Sequence, residues 1–90
     1  MKVAHIFISG FVQGIGFRQF ILRQAQDLPL TGWVRNIPDG RVEAIFQGEK
    51  EKIEESISLC RKGPFLAEVE NVEVKWEDRE ESFESFEIVM

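Results

Sequence analysis

Val3-Ala4-His5-Ile6-Phe7-Ile8-Ser9, continuing into Gly10-Phe11-Val12-Gln13-Gly14-Ile15-Gly16-Phe17-Arg18, decides how the whole chain is read. In the first part Ala4, Ile6 and Ile8 alternate with Val3, His5 and Phe7, the period of a strand. Three glycines in seven residues, Gly10, Gly14 and Gly16, then mark a loop. From Phe17 the apolar positions become Phe17, Ile21, Ala25 and Leu28, one stripe of a helix. Pro29 cannot continue that helix. The unit is therefore a strand that enters a helix through a glycine loop.

Outward from it the period keeps switching. Thr31 to Ile37 reads as a second strand and Pro38-Asp39-Gly40 as a turn. Arg41 to Gln47 alternates through Val42, Ala44 and Phe46, so the two strands should form an antiparallel hairpin. Glu49 to Lys62 carries the helical stripe Ile53, Ile57 and Cys60. Glu49 and Glu51 sit in its first turn and Arg61 and Lys62 in its last, as a helix dipole favours, and Gly63-Pro64 stops it. Val69 to Trp76 alternates again, Glu77 to Glu81 reads as a solvated turn, and Ser85 to Val89 can form a last short strand. The expected fold is α+β: a ferredoxin-like βαββαβ sandwich, with an antiparallel sheet, two helices on one face and a short extra C-terminal strand. Such an architecture serves many functions, so function must be read from a site.

Composition narrows the choice. Ninety residues, 43% of them hydrophobic, suit a single domain spanning 1–90. The formal net charge of −5 repels polyanions and argues against nucleic acid or an anionic membrane surface as partner. A lone cysteine, Cys60, allows no intrachain disulfide and suits a reducing compartment. No apolar run is long enough for a membrane span or a signal peptide. A soluble, cytoplasmic protein is expected. Any anion it binds must be captured locally, against the global charge.

The glycine loop offers such a place. A loop entering a helix leaves N–H groups free at the positive end of the dipole, and glycine lets the backbone approach a ligand closely. Arg18 falls beside those amides, and its fork can pair two phosphate oxygens. Two readings stand at this point: a phosphate cradle, or a tight turn followed by a solvated arginine. The segment lacks the third glycine of a dinucleotide fingerprint and the Gly-Lys-Ser/Thr of a nucleotide loop. Asn36 is likewise open. It shares a face with Val34, where its carboxamide can orient a water, or it starts the hairpin turn. Arg35 has the opposite parity and should lie at the surface. His5 reads as a residue of the open sheet face, Cys60 as inert core, and a lone His and a lone Cys make no zinc site.

Taken together, these segments resemble the acylphosphatase family. Its first signature, Gly-x-Val-Gln-Gly-Val-Gly-Phe-Arg, stands here as Gly10 to Arg18. Its second, Gly-Trp-Val-Arg-Asn, is Gly32 to Asn36, followed by Asp39-Gly40-Arg41-Val42-Glu43. Gly63-Pro64 and Ala67 to Trp76 also resemble the family. Three departures are mild. Ile15 replaces Val, Phe11 stands where a basic residue is frequent, and Pro29 stands where Gly is often found.

The resemblance implies hydrolysis of acyl phosphates to a carboxylate and inorganic phosphate. It implies that Arg18 binds the phosphate and Asn36 positions the attacking water. Amides of Phe11, Val12, Gln13, Gly14, Ile15, Gly16 and Phe17 would complete the cradle. It implies no metal and no organic cofactor, a monomer, a last strand beside the second one, and inorganic phosphate or sulfate as product-like ligands. Two other classes remain to be weighed. One is a non-catalytic module binding acyl or carbamoyl phosphate. The other is a single-stranded RNA reader stacking bases on Phe7 and Trp33, which the net charge disfavours.

Overall fold

The computed structural model describes residues 1–89; Met90, the last residue of the expected 1–90 domain, lies outside them. The alternating N-terminal segment forms β1 (Lys2–Phe11) and the stripe that follows forms α1 (Phe17–Asp27). The hairpin is β2 (Thr31–Asn36) and β3 (Val42–Gln47), followed by α2 (Lys50–Lys62), β4 (Glu68–Asp78) and β5 (Phe86–Ile88). The sheet order is β4-β1-β3-β2-β5. The four strands of the βαββαβ core pair antiparallel, as expected. β5 joins parallel to β2, with Val34 opposite Ile88.

The burial follows from the periodicities. Ala4, Ile6, Ile8, Val34, Val42, Ala44, Phe46 and Val72 line one sheet face. They pack with Phe17, Ile21 and Ala25 of α1 and Ile53, Ile57 and Cys60 of α2 in one cluster. The helices also touch through a polar pair, Ser56 Oγ donating to Gln24 Oε1 at 2.9 Å. No helix among the described residues is long and apolar enough to cross a membrane.

β1 runs two residues past the expected Ser9 because a register shift at Ser9/Gly10 lets it keep pairing with β4. Gly10 is required there, since a Cβ would sit 2.1 Å from the Glu68 carbonyl oxygen. β4 likewise runs on to Asp78, into the stretch expected as a solvated turn. There Arg79 pairs with Glu77 at 2.8 Å and Glu81 at 3.1 Å.

The chain must then cross from one edge of the sheet to the other, because β4 and β5 are the two edge strands. The crossing segment, 79–85, is fastened to the sheet at several points. Arg79 N–H donates to the Met1 carbonyl and Gly32 N–H to that of Ser85. Gln47, 1% exposed, holds the middle of the segment. Its amide donates to Glu81 O at 2.9 Å and its oxygen accepts from Phe83 N–H at 2.8 Å. Val3 and Ile45, on the sheet face away from the helices, are also buried. Gln47→Leu keeps the volume but leaves two main-chain groups without partners, at about 1 kcal/mol each. A loss of about 2 kcal/mol lowers Tm by roughly 8–16 °C in a domain of this size. Thermal melts of the variant check this, and an unchanged Tm would mean the crossing segment is held by other contacts.

The end of α1 contains a misfit. Leu28 N–H donates to Gln24 O and Leu30 N–H to Ala25 O, at 2.9 and 2.8 Å. The second bond is the six-to-one link of a Schellman ending, which places Pro29 at the position usually taken by a left-handed glycine. Pro29 has φ 21, against the −65° that its ring prefers, and it has no N–H for the companion bond. Strain of this kind costs about 1–3 kcal/mol and the missing bond about 1, while glycine costs roughly 0.4–1 in unfolded-chain entropy. Pro29→Gly is therefore expected to stabilise by about 1–3.5 kcal/mol, raising Tm by at least roughly 4–8 °C. A melt showing no rise would refute the strain argument.

Candidate active site

The glycine loop turns at left-handed residues. Gly14 has φ 77 and Gly16 φ 82, and a Cβ on either would meet open space. Glycine is needed there for the backbone conformation and not for room. Gly16 is also the N-cap of α1 and offers no side chain to the helix end. The first amide bonded within the helix is that of Phe20, which donates to Gly16 O at 3.0 Å. The amides of Phe17, Arg18 and Gln19 thus have no helical acceptor and carry the positive end of the dipole.

Those amides open on a cleft of about 300 Å³ lined by Val12, Gly14, Gly16, Phe17, Arg18, Gln19, Asn36 and Ile88. Arg18 and Asn36, far apart in the chain, therefore share one cavity. Among the described residues Arg18 is its one charged lining residue, and no carboxylate side chain borders it. Arg35, Arg41 and Arg79 are paired with Glu43, Asp39, and Glu77 and Glu81 respectively. Arg18 has no such partner among the described residues. An unpaired guanidinium beside free amides can hold an anion despite the acidic whole, because interactions in a cleft outweigh screened surface charge at longer range.

Asn36 lies at the end of β2 on the same face as Val34, which is fully buried. Among the described residues two buried side-chain polar atoms lack a partner, Gln24 Nε2 and Asn36 Oδ1. A buried acceptor without a donor costs about 1–3 kcal/mol, so it calls for an explanation. On the wall of this cleft, a donor brought by solvent or ligand would supply one.

The expected loop residues separate into two groups. Val12, Gly14, Gly16 and Phe17 line the cleft. Phe11 closes β1 opposite Glu68 and is 59% exposed, and Ile15 packs against the core. Gln13 turns its side chain to the hairpin, where Nε2 donates to Ile37 O at 2.8 Å and Arg41 O at 2.9 Å. That pair of bonds locks the loop to the hairpin that carries Asn36. Sequence reasoning missed Gln19 and Ile88. Gln19 follows Arg18 in the first turn of α1 and could have been found from that position. Ile88 reaches the cleft through strand pairing alone, which no local pattern announces.

The remaining candidates resolve into structure. His5 sits on the open face as expected, half-buried, with Nε2 2.6 Å from Glu43 Oε2. Arg35 Nε donates to the other Glu43 oxygen at 2.7 Å. Burial pushes the Glu43 carboxyl up, but the bonds from His5 and Arg35 outweigh it and hold it below the usual carboxylate range. Cys60 is buried and its thiol is pushed up to about 12 by burial, so it is no nucleophile at neutral pH. The aromatic faces needed by an RNA reader are covered by the protein's own cations. Arg35 lies 5.4 Å from the Trp33 ring centre, and Arg41 and Lys75 lie 4.8 and 5.7 Å from that of Phe7.

Comparison with known proteins agrees with this fold. The acylphosphatase family model matches residues 4–88. An acylphosphatase from Thermococcus kodakarensis is 50% identical over 86 residues, covering 96% of this chain and 93% of its relative. The crystal structure of acylphosphatase from Bacillus subtilis superposes with a TM-score of 0.97 at 32% identity, covering both chains completely. The same fold occurs inside a longer protein: T. kodakarensis HypF matches with a TM-score of 0.86 at 36% identity over 99% of this chain but 12% of its own. With its family match spanning nearly the whole sequence, the chain belongs to the acylphosphatase family.

Proposed function

We propose that the protein hydrolyses acyl phosphates, with Arg18 and the free amides of the loop and α1 holding the phosphate and Asn36 directing the water. The supporting observation is one cleft that, among the described residues, is bordered by no carboxylate side chain but by an unpaired arginine, by open amides and by a carboxamide whose buried oxygen lacks a donor. The substrate's dianionic end seats on the amides and the Arg18 fork. Water donates one hydrogen to Asn36 Oδ1, which aims its lone pair at phosphorus. The new oxygen–phosphorus bond forms in line as the bond to the acyl oxygen breaks, and that electron pair leaves with the carboxylate. Among the described residues no carboxylate, imidazole or thiol side chain lines the cleft, so the water's proton passes to a phosphate oxygen of the substrate. Arg18 and the amides supply charge stabilisation and Asn36 supplies orientation.

In this reading residues 1–90 act as a single domain and a monomer, in the cytoplasm, with no metal or organic cofactor. Inorganic phosphate and sulfate compete as product-like ligands.

Because no acidic side chain among the described residues lines the cleft to protonate a leaving group, the group must depart as an anion. A carboxylate does so readily (parent acid pKa about 4) and a phenolate does not (about 10). The test is turnover of benzoyl phosphate beside phenyl phosphate. Fast hydrolysis of the first and no measurable hydrolysis of the second is expected. Equal turnover of both would overturn the reading. Phosphate-competitive binding of benzoyl phosphate without turnover would favour a non-catalytic acyl-phosphate module.

A further inference from the structure

Ile88 is a lining residue that the proposed chemistry leaves without a role. It belongs to β5, which pairs parallel with β2 so that Ile88 stands opposite Val34, and Val89 N–H donates to Val34 O at 2.9 Å. Asn36 is two residues further along β2, on the same face, and both side chains line the cleft. An in-line displacement places the nucleophile and the leaving group on opposite sides of phosphorus. If Asn36 holds the water, the acyl group leaves on the side away from Asn36, and so away from β5. Ile88 therefore borders the nucleophile and not the acyl chain.

Among the described residues three apolar ones line the cleft: Val12, Phe17 and Ile88. Val12 and Phe17 are 1% and 2% exposed and form its floor. Ile88 is only partly buried against the core, so it alone among the three keeps surface that a nucleophile can touch. We propose that Ile88 selects the nucleophile: its side chain closes the attacking side of the cleft around a single water and keeps small alcohols off the phosphorus. This rests on the role assigned to Asn36 above. The residue would thereby make the protein a hydrolase and not a phosphotransferase. When an alcohol enters, its oxygen bonds to phosphorus, the acyl carboxylate leaves with the electron pair of the broken bond, and the hydroxyl proton goes to a phosphate oxygen. The product is an alkyl phosphate.

The experiment is turnover of benzoyl phosphate in buffer containing methanol, with methyl phosphate and inorganic phosphate quantified by phosphorus NMR. Wild type is expected to release inorganic phosphate nearly alone. Ile88→Ala should raise the ratio of methyl to inorganic phosphate by about tenfold, the low end of what one apolar contact discriminates. Ile88→Val removes one methyl group, is compatible with β5, and should raise the ratio less. It keeps the test decisive if Ile88→Ala does not fold. A ratio unchanged from wild type in Ile88→Val, and in Ile88→Ala where it folds, would overturn the proposal. Failure of the underlying reading looks different: Asn36→Ala would then turn over benzoyl phosphate at the wild-type rate.

Discussion

Arg18→Gln is expected to lower kcat/KM for an acyl phosphate by at least about three orders of magnitude, or ~4 kcal/mol of transition-state stabilisation. Loss of a single neutral donor at a developing oxyanion already costs about 10²–10³. Arg18 brings a full charge and two parallel donors, and among the described residues it is the one charged side chain on the cleft wall. No other cation among the described residues lines the cleft to take over. The same variant should weaken inhibition by inorganic phosphate, since product and substrate share the phosphate end. Glutamine keeps donors and most of the side-chain length, so a folding defect is not the expected cause. The measurement is kcat, KM and the phosphate inhibition constant, beside a melt. Turnover within tenfold of wild type would remove Arg18 from the site.

Asn36→Ala should be as damaging to kcat but should spare binding. Its carboxamide touches the water and not the phosphate in the proposed arrangement, so KM and phosphate inhibition should stay within a few-fold of wild type. The expected fall in kcat is about 10³ or more, because an unaimed water forfeits the orientation that makes the step effectively unimolecular. Stability should change little or rise, since the buried Oδ1 has no donor to lose among the described residues. An Asn36→Ala protein that keeps turnover but loses phosphate inhibition would reverse the division of labour between the two residues.

Much of this was legible from contiguous residues. The change of period at Phe17 located α1, and the turn Pro38-Asp39-Gly40 located the hairpin, closed by Gly40 N–H on Ile37 O at 3.1 Å. The parity shared by Val34 and Asn36 put the carboxamide on the helix-covered face. The Gly10–Arg18 signature marked the loop, although only four of its seven expected cradle residues, Val12, Gly14, Gly16 and Phe17, reach the cleft. Gln13 was grouped with the cradle because it lies inside the signature. Its partners, Ile37 O and Arg41 O, are main-chain atoms of another element, and nothing local to Gln13 names them.

Residue types and their spacing were thus enough to establish the order of strands and helices, which faces are apolar, and where an arginine and free amides coincide. That information is local, because helix and strand periods and turn chemistry act over a few neighbouring residues. They did not establish the path of 79–85 across the sheet, the burial of Gln47 beneath it, the parallel seating of β5 or the arrival of Ile88 beside Asn36. These depend on contacts between residues tens of positions apart. They are settled by which route buries the most apolar surface while satisfying the main-chain groups that the route exposes.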